Sequence, residues 1–77
     1  MDIHQIIELA RKARDIPFGT PCGVATDGHV YVVGFGTGEE WNSLHVQVDP
    51  VTDGVTVLSD SEYGKILPSL NLVFRSR

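Results

Sequence analysis

A chain of 77 residues with 42% hydrophobic and 21% charged residues has ordinary globular usage, which excludes wholesale disorder and leaves room for one domain. At this size only about 60% of the unfolded surface is buried on folding, so stability must be small and the core compact. The single cysteine, Cys22, excludes a disulfide scaffold and suits a reducing compartment.

The opening Met-Asp-Ile-His has no basic stretch followed by an apolar one, so no signal peptide is expected. The longest apolar run, residues 30–33, falls far short of the ~20 residues that span a bilayer. A cytoplasmic location without membrane contact is therefore the expectation. The formal charge is −4, and its distribution says more than its size. Arg11, Lys12, Arg14, Lys65, Arg75 and Arg77 are the only Lys and Arg residues. From residue 15 to 64 the chain carries Asp15, Asp27, Glu39, Glu40, Asp49, Asp53, Asp60 and Glu62 with no Lys or Arg among them. Such a stretch repels phosphate, which argues against nucleic-acid binding. It serves either solubility or the attraction of a basic partner.

In chain order, Asp2 and Gln5 form an Asp-x-x-Gln variant of the capping box. Ile3, Ile6, Ile7 and Ala10 follow at helical spacing, with Leu9 and Ala13 beside them. Basic residues crowd the last turn, where cations favour the helix dipole. Pro17 disfavours helical geometry at Ile16, so a helix over residues 3–15 is predicted. A helix this short must dock on something. Residues 19–23 read as a connector. Runs at 24–26 and 29–35, split by Asp27-Gly28, predict a hairpin closed by a type I′ turn. Gly34, Gly36 and Gly38 point to strand bending or a bulge before a polar loop at 37–42. Leu44, Val46 and Val48 then alternate with His45, Gln47 and Asp49, the pattern of a half-buried strand. Residues 49–54 form a turn with Pro50 early and Gly54 late. Val55, Val57 and Ser59 are expected on one face of the next strand, with Thr56 and Leu58 on the other. Asp60 or Ser61 is the expected cap of a short turn through Lys65, limited by Pro68. The alternation of Leu70, Leu72 and Phe74 suggests a fifth strand, with a frayed tail as the alternative.

The fold predicted is α+β: an N-terminal helix packed on a 4- to 5-stranded antiparallel β-meander. One domain covers residues 1–77, with the helix at 3–15, the meander at 22–59 and a C-terminal turn or tail at 60–77. The helix and the sheet each have an apolar face, so Ile6, Ile7 and Ala10 should pack on a sheet face carrying Val32, Val46 and Val57.

Enzymatic constellations are not found in the sequence. His4, His29 and His45 have no metal-ligand spacing, and there is no HxH or HExxH. Counted from Asp49, an EF-hand would need an oxygen ligand where Val51 stands and a Glu where Asp60 stands. Cys22 sits in a loop-like Pro-Cys-Gly context with no base beside it in sequence. The Gly34–Gly38 spacing matches neither the dinucleotide fingerprint nor a P-loop, and two glutamates follow it. No catalytic residue, metal or cofactor is therefore assigned. Trp41, beside Glu39 and Glu40, is either a lid on the core or an interface anchor. The candidate partner-binding residues are Glu39, Glu40 and Trp41, supported by Asp49, Asp53 and Asp60. Residues 49–53 follow the strand that leaves residue 42 and so lie at its opposite end from Trp41.

Residues 8–13 of the helix, the aromatic strand 31–35 and the string Val46-Gln-Val48-Asp49-Pro-Val-Thr52-Asp53-Gly54-Val55-Thr-Val57-Leu58 resemble the short YrhB-type domains, grouped with bacterial polymorphic-toxin immunity proteins. The same string is also similar to PepSY-like hairpins. This chain departs by inserting Asp53 between Thr52 and Gly54, which lengthens the turn. The resemblance implies a non-catalytic inhibitor acting by surface complementarity, with no active-site residues to carry over. The reading reached is a small, cytoplasmic, non-catalytic binding protein, immunity- or inhibitor-like, using an acidic β-surface against a basic protein partner. The alternative is a structural or homo-oligomerising domain of a bacterial or phage assembly, which includes a homodimer.

Overall fold

The computed structural model describes residues 2–36 and 45–75. Its elements are α1 (Ile3–Ala13), β1 (Cys22–Thr26), β2 (Tyr31–Phe35), β3 (His45–Val48), β4 (Val55–Leu58), α2 (Asp60–Ile66), a 3-10 turn (Leu67–Ser69) and β5 (Asn71–Arg75). The strands form one antiparallel sheet in the order β4-β3-β2-β1-β5. The α+β class, with a helix on an antiparallel sheet, is as the sequence predicts. The first four strands are a meander. The fifth is a strand and not a tail, but it does not extend the meander. Residues 59–70 carry the chain across to the far edge, where β5 pairs with β1.

Local chemistry sets the limits of α1. The Asp2 carboxylate accepts the Gln5 N–H at 2.9 Å, and the Gln5 side-chain oxygen accepts the Asp2 N–H at 2.9 Å. At the other end the helix stops at Ala13 and not at residue 15. Asp15 takes a left-handed φ of 52°, the Ile16 N–H bonds the Arg11 carbonyl and the Asp15 N–H bonds the Lys12 carbonyl. This is a Schellman ending with Asp in the place glycine usually takes. The turn, and not Pro17 alone, ends the helix.

The loops differ from expectation for a common reason: short polar side chains capture backbone N–H groups. Asp27-Gly28 does not make a type I′ turn. Only Gly28 of the pair has positive φ, at 100°, while the Asp27 carboxylate accepts N–H groups from His29 at 2.8 Å and Val30 at 3.0 Å. The result is a four-residue loop, and β2 starts at Tyr31 instead of His29. Between β3 and β4 the left-handed residue is Asp53, φ 59°, and not Gly54. Strand bending or a bulge is expected over residues 34–38, of which residues 37 and 38 lie outside the described residues; a bulge does occur between Val24 and Ala25, where β1 meets β5. Gly34 itself keeps regular register with Gly23 and His45. Gly36, with φ 115°, turns the chain out of β2.

The core lies between α1 and one face of the sheet. Ile6 and Ala10 are fully buried against Val24, Val33, Val46, Val48, Cys22 and Phe35. Ile7, Leu9 and Ile3 are half-buried around them, whereas Ala13 is exposed. The expected partner set needs two corrections. Val33, not Val32, stands opposite Val46, so strand alternation puts Val32 on the other face. Val57 shares the helix face through its pairing with Val46 but remains 43% exposed, because β4 is an edge.

The second face is not left to water. α2 crosses it, and Val32, His45 and Leu58 are buried there. The half-buried strand expected at β3 is therefore buried on both sides. Ser59, and not Asp60 or Ser61, caps α2, in a reciprocal box with Glu62 at 3.1 and 3.2 Å. Pro68 sits inside the following 3-10 turn. Among the described residues no helix is long and apolar enough to cross a membrane.

Candidate functional site

Three surfaces collect the side chains capable of chemistry or contact. The first is a groove of about 490 Å³ between α1, the connector after it and the β1–β5 edge. Phe35 and Phe74 contribute to its apolar lining, together with Ile7 and Phe18. Phe18 is 85% exposed. Its position follows from the helix ending. Arg11 binds the Glu8 carboxylate through Nε at 3.2 Å and Nη2 at 2.6 Å, donates Nη1 to the Ile16 carbonyl at 3.1 Å, and stands 5.8 Å from the Phe18 ring centre. One guanidinium therefore ties the helix face, the chain reversal and the exposed ring together. The hydrogen bond from Arg11 holds the Glu8 carboxyl below its ordinary value. His4 packs edge-on to Phe74 with ring centres 6.4 Å apart.

The second surface lies under α2. Gly23, Ala25, Gly34 and Val32 line a hollow of about 70 Å³, with His45 and Tyr63 also at its wall. His45 is 4% exposed and its ring stacks on Tyr63, with centres 3.6 Å apart and planes 17° from parallel. Burial pushes the His45 pKa down, opposed by the negative charge of Asp60. The expectation that His45 stands on a polar strand face fails because α2 covers that face. Gly23 and Gly34 line the same hollow as the Tyr63 ring.

The third surface is the acidic one. Glu39, Glu40 and Trp41 lie outside the described residues. Asp49 accepts the N–H groups of Val51 at 2.9 Å and Thr52 at 3.4 Å, so its carboxylate builds the β3–β4 loop. Asp53 is exposed in that loop, in the left-handed position. Asp60 is exposed in the first turn of α2. The structure brings Asp49 and Asp53 together and keeps Asp60 apart by the length of β4, roughly 13 Å at a strand's rise per residue. These acids bracket a strand; they do not form one patch.

Asp27 and Glu62 also serve the backbone. The Val30 and His29 N–H groups lower the Asp27 pKa, and the Ser59 N–H lowers that of Glu62. Among the described residues no group of three or more His, Cys, Asp or Glu side chains is arranged to hold a metal ion. Cys22 is buried at the edge of the first groove. Two participants escaped the sequence reading, Phe18 and Tyr63. The Ser59-x-x-Glu62 box was the available signal for Tyr63, because it sets the helical phase of α2. Phe18 had no such signal, since its setting depends on a bond from Arg11 across the chain reversal. Comparison with family models, curated proteins and solved structures returns no match for this chain.

Proposed function

We propose that this chain is a small non-catalytic binding protein, immunity- or inhibitor-like, that meets a basic protein partner. The observation that carries this reading is the charge of the β3–β4 hairpin. Residues 45–58 contain Asp49 and Asp53 but no Lys or Arg, and Asp60 follows at the hairpin's other end. Lys12 of α1 shares a shallow hollow with Asp53 and offsets part of this charge. Exposed carboxylates of this kind speed encounter with a cationic surface and set its orientation.

The test uses substitutions that spare the fold. Asn keeps the side-chain oxygen that Asp49 uses as an acceptor and tolerates the left-handed geometry of Asp53. A variant with Asp49→Asn, Asp53→Asn and Asp60→Asn should fold normally. Proteins captured from a host lysate by the parent chain should be basic and should fall away as salt rises. They should be missing from the triple variant. An unchanged captured set would overturn the proposal.

A second reading is supported by the exposed apolar side chains. Phe18 at 85%, Leu72 at 64% and Val73 at 49% are large residues left in water. A structural or homo-oligomerising domain would cover them with a second copy. Molecular mass in solution decides this reading: it requires a dimer or larger species that Phe18→Ser disrupts.

A further inference from the structure

The two edges of the sheet differ. β5 pairs with β1 through a bulge and ends on Arg75, both features that blunt an edge against further pairing. β4 has neither. Its sequence is Val-Thr-Val-Leu, with no charge, no proline and unbroken register against β3. Among the described residues no strand lies outside it. The Asp49 N–H bonds the Gly54 carbonyl at 2.8 Å, which sets the phase of the ladder. By antiparallel alternation, Val55 and Val57 then turn their N–H and C=O groups outward. Val57 also exposes 43% of its surface. The open strand is short, uncharged and mostly β-branched, and acids stand at both its ends: Asp53 before it, Asp60 after it.

We propose that β4 is an acceptor edge for an extended segment of a partner protein, β-branched in its centre and basic at both ends. Main-chain bonds to Val55 and Val57 supply the affinity, and Asp53 and Asp60 select the flanking cations. The charge pattern disfavours a second copy as occupant. With Thr56 opposite its own counterpart, antiparallel self-pairing sets Asp53 of one chain opposite Ser59 of the other, one residue from its Asp60, so like charges gather at both ends of the pair and repel. The inference rests on the basic-partner reading and adds its geometry.

The experiment titrates the intact protein, labelled for amide NMR, with three octapeptides. One has two lysines at each end of a Val-Thr-Val-Thr centre, one replaces those lysines with glutamates, and one keeps the lysines around a Gly-Ser centre. The expected result is that only the first protects the Val55 and Val57 amides from hydrogen exchange. Val57→Pro removes one outward N–H without taking a bond from β3, a placement proline tolerates on an edge. It should weaken binding about tenfold, the change expected for one lost hydrogen bond. Should that variant fail to fold, the first peptide N-methylated at alternate residues should show the same loss. Equal binding of both lysine peptides, with shifts confined to the Asp53 and Asp60 ends, would overturn strand addition and leave the basic-partner reading standing. Binding of the glutamate peptide alone would overturn both. Val55 and Val57 amides already protected in the free protein would also overturn the acceptor edge.

Discussion

His45 shows how one residue couples burial to pH. Its pKa is lowered in the folded state because α2 removes it from water. Below its ordinary value of about 6.5, the unfolded chain therefore binds a proton that the folded chain resists. Stability from this source is present in full above that value and declines as pH falls through and below it. Urea denaturation at pH 7.5 and 5.5 should show a lower midpoint at the acid pH. His45→Phe keeps an aromatic ring against Tyr63 and should flatten that difference. The lowered carboxyls of Glu8, Asp27 and Glu62 act in a separate, more acidic window, because their ordinary values lie near 4. A second residue-scale test concerns Asp15, which holds φ at 52°. Asp15→Gly should be neutral or stabilise by up to about 1 kcal/mol. Asp15→Val should lose about 1–2 kcal/mol, since a β-branched side chain clashes in that conformation. Paired urea melts check both.

At the scale of elements, α1 and α2 are held by different forces. α1 sinks Ile6 and Ala10 entirely, whereas no residue of α2 is buried. α2 relies on its capping box and on the Tyr63 ring over His45. Ile6→Ala should therefore cost about 2–5 kcal/mol, a large part of the stability of a domain this small. Ile7→Ala should cost visibly less, because Ile7 is only half-buried at the rim. Equal losses for the two, measured by thermal melting, would mean that the helix sits on the sheet in another rotation. Periodicity in the sequence identified the helix and its apolar side but could not separate Ile6 from Ile7. They are neighbours on one stripe, and only the approach of the sheet decides which points inward. The capping boxes are a contrast: Asp2 with Gln5 was legible because the bonds span three residues and need no tertiary partner. Ser59 with Glu62 was equally local, yet the cap was expected one or two residues later, at Asp60 or Ser61.

At the scale of the whole molecule, the sheet is completed by its last strand. β5 covers the open side of β1 and brings Phe74 over the core beside Val24. Removing residues 71–77 should expose Val24 and Cys22 and abolish the cooperative unfolding transition seen by circular dichroism. A truncated chain with an unchanged transition would show that β1 can serve as an edge. By itself the sequence determined the α+β class, the existence of most strands, the first cap and the acidic character of residues 15–64. Each of these is written in short-range periodicity, local hydrogen bonding or simple composition. Only the tertiary structure decided that Val33 and not Val32 faces the helix, that His45 is buried, that β5 joins β1, and that Asp53 and Asp60 stand at the two ends of an open strand. Those outcomes depend on register and on which face each element covers. A shift of one residue reverses every side chain of a strand, and such choices are made by contacts between segments far apart in the chain.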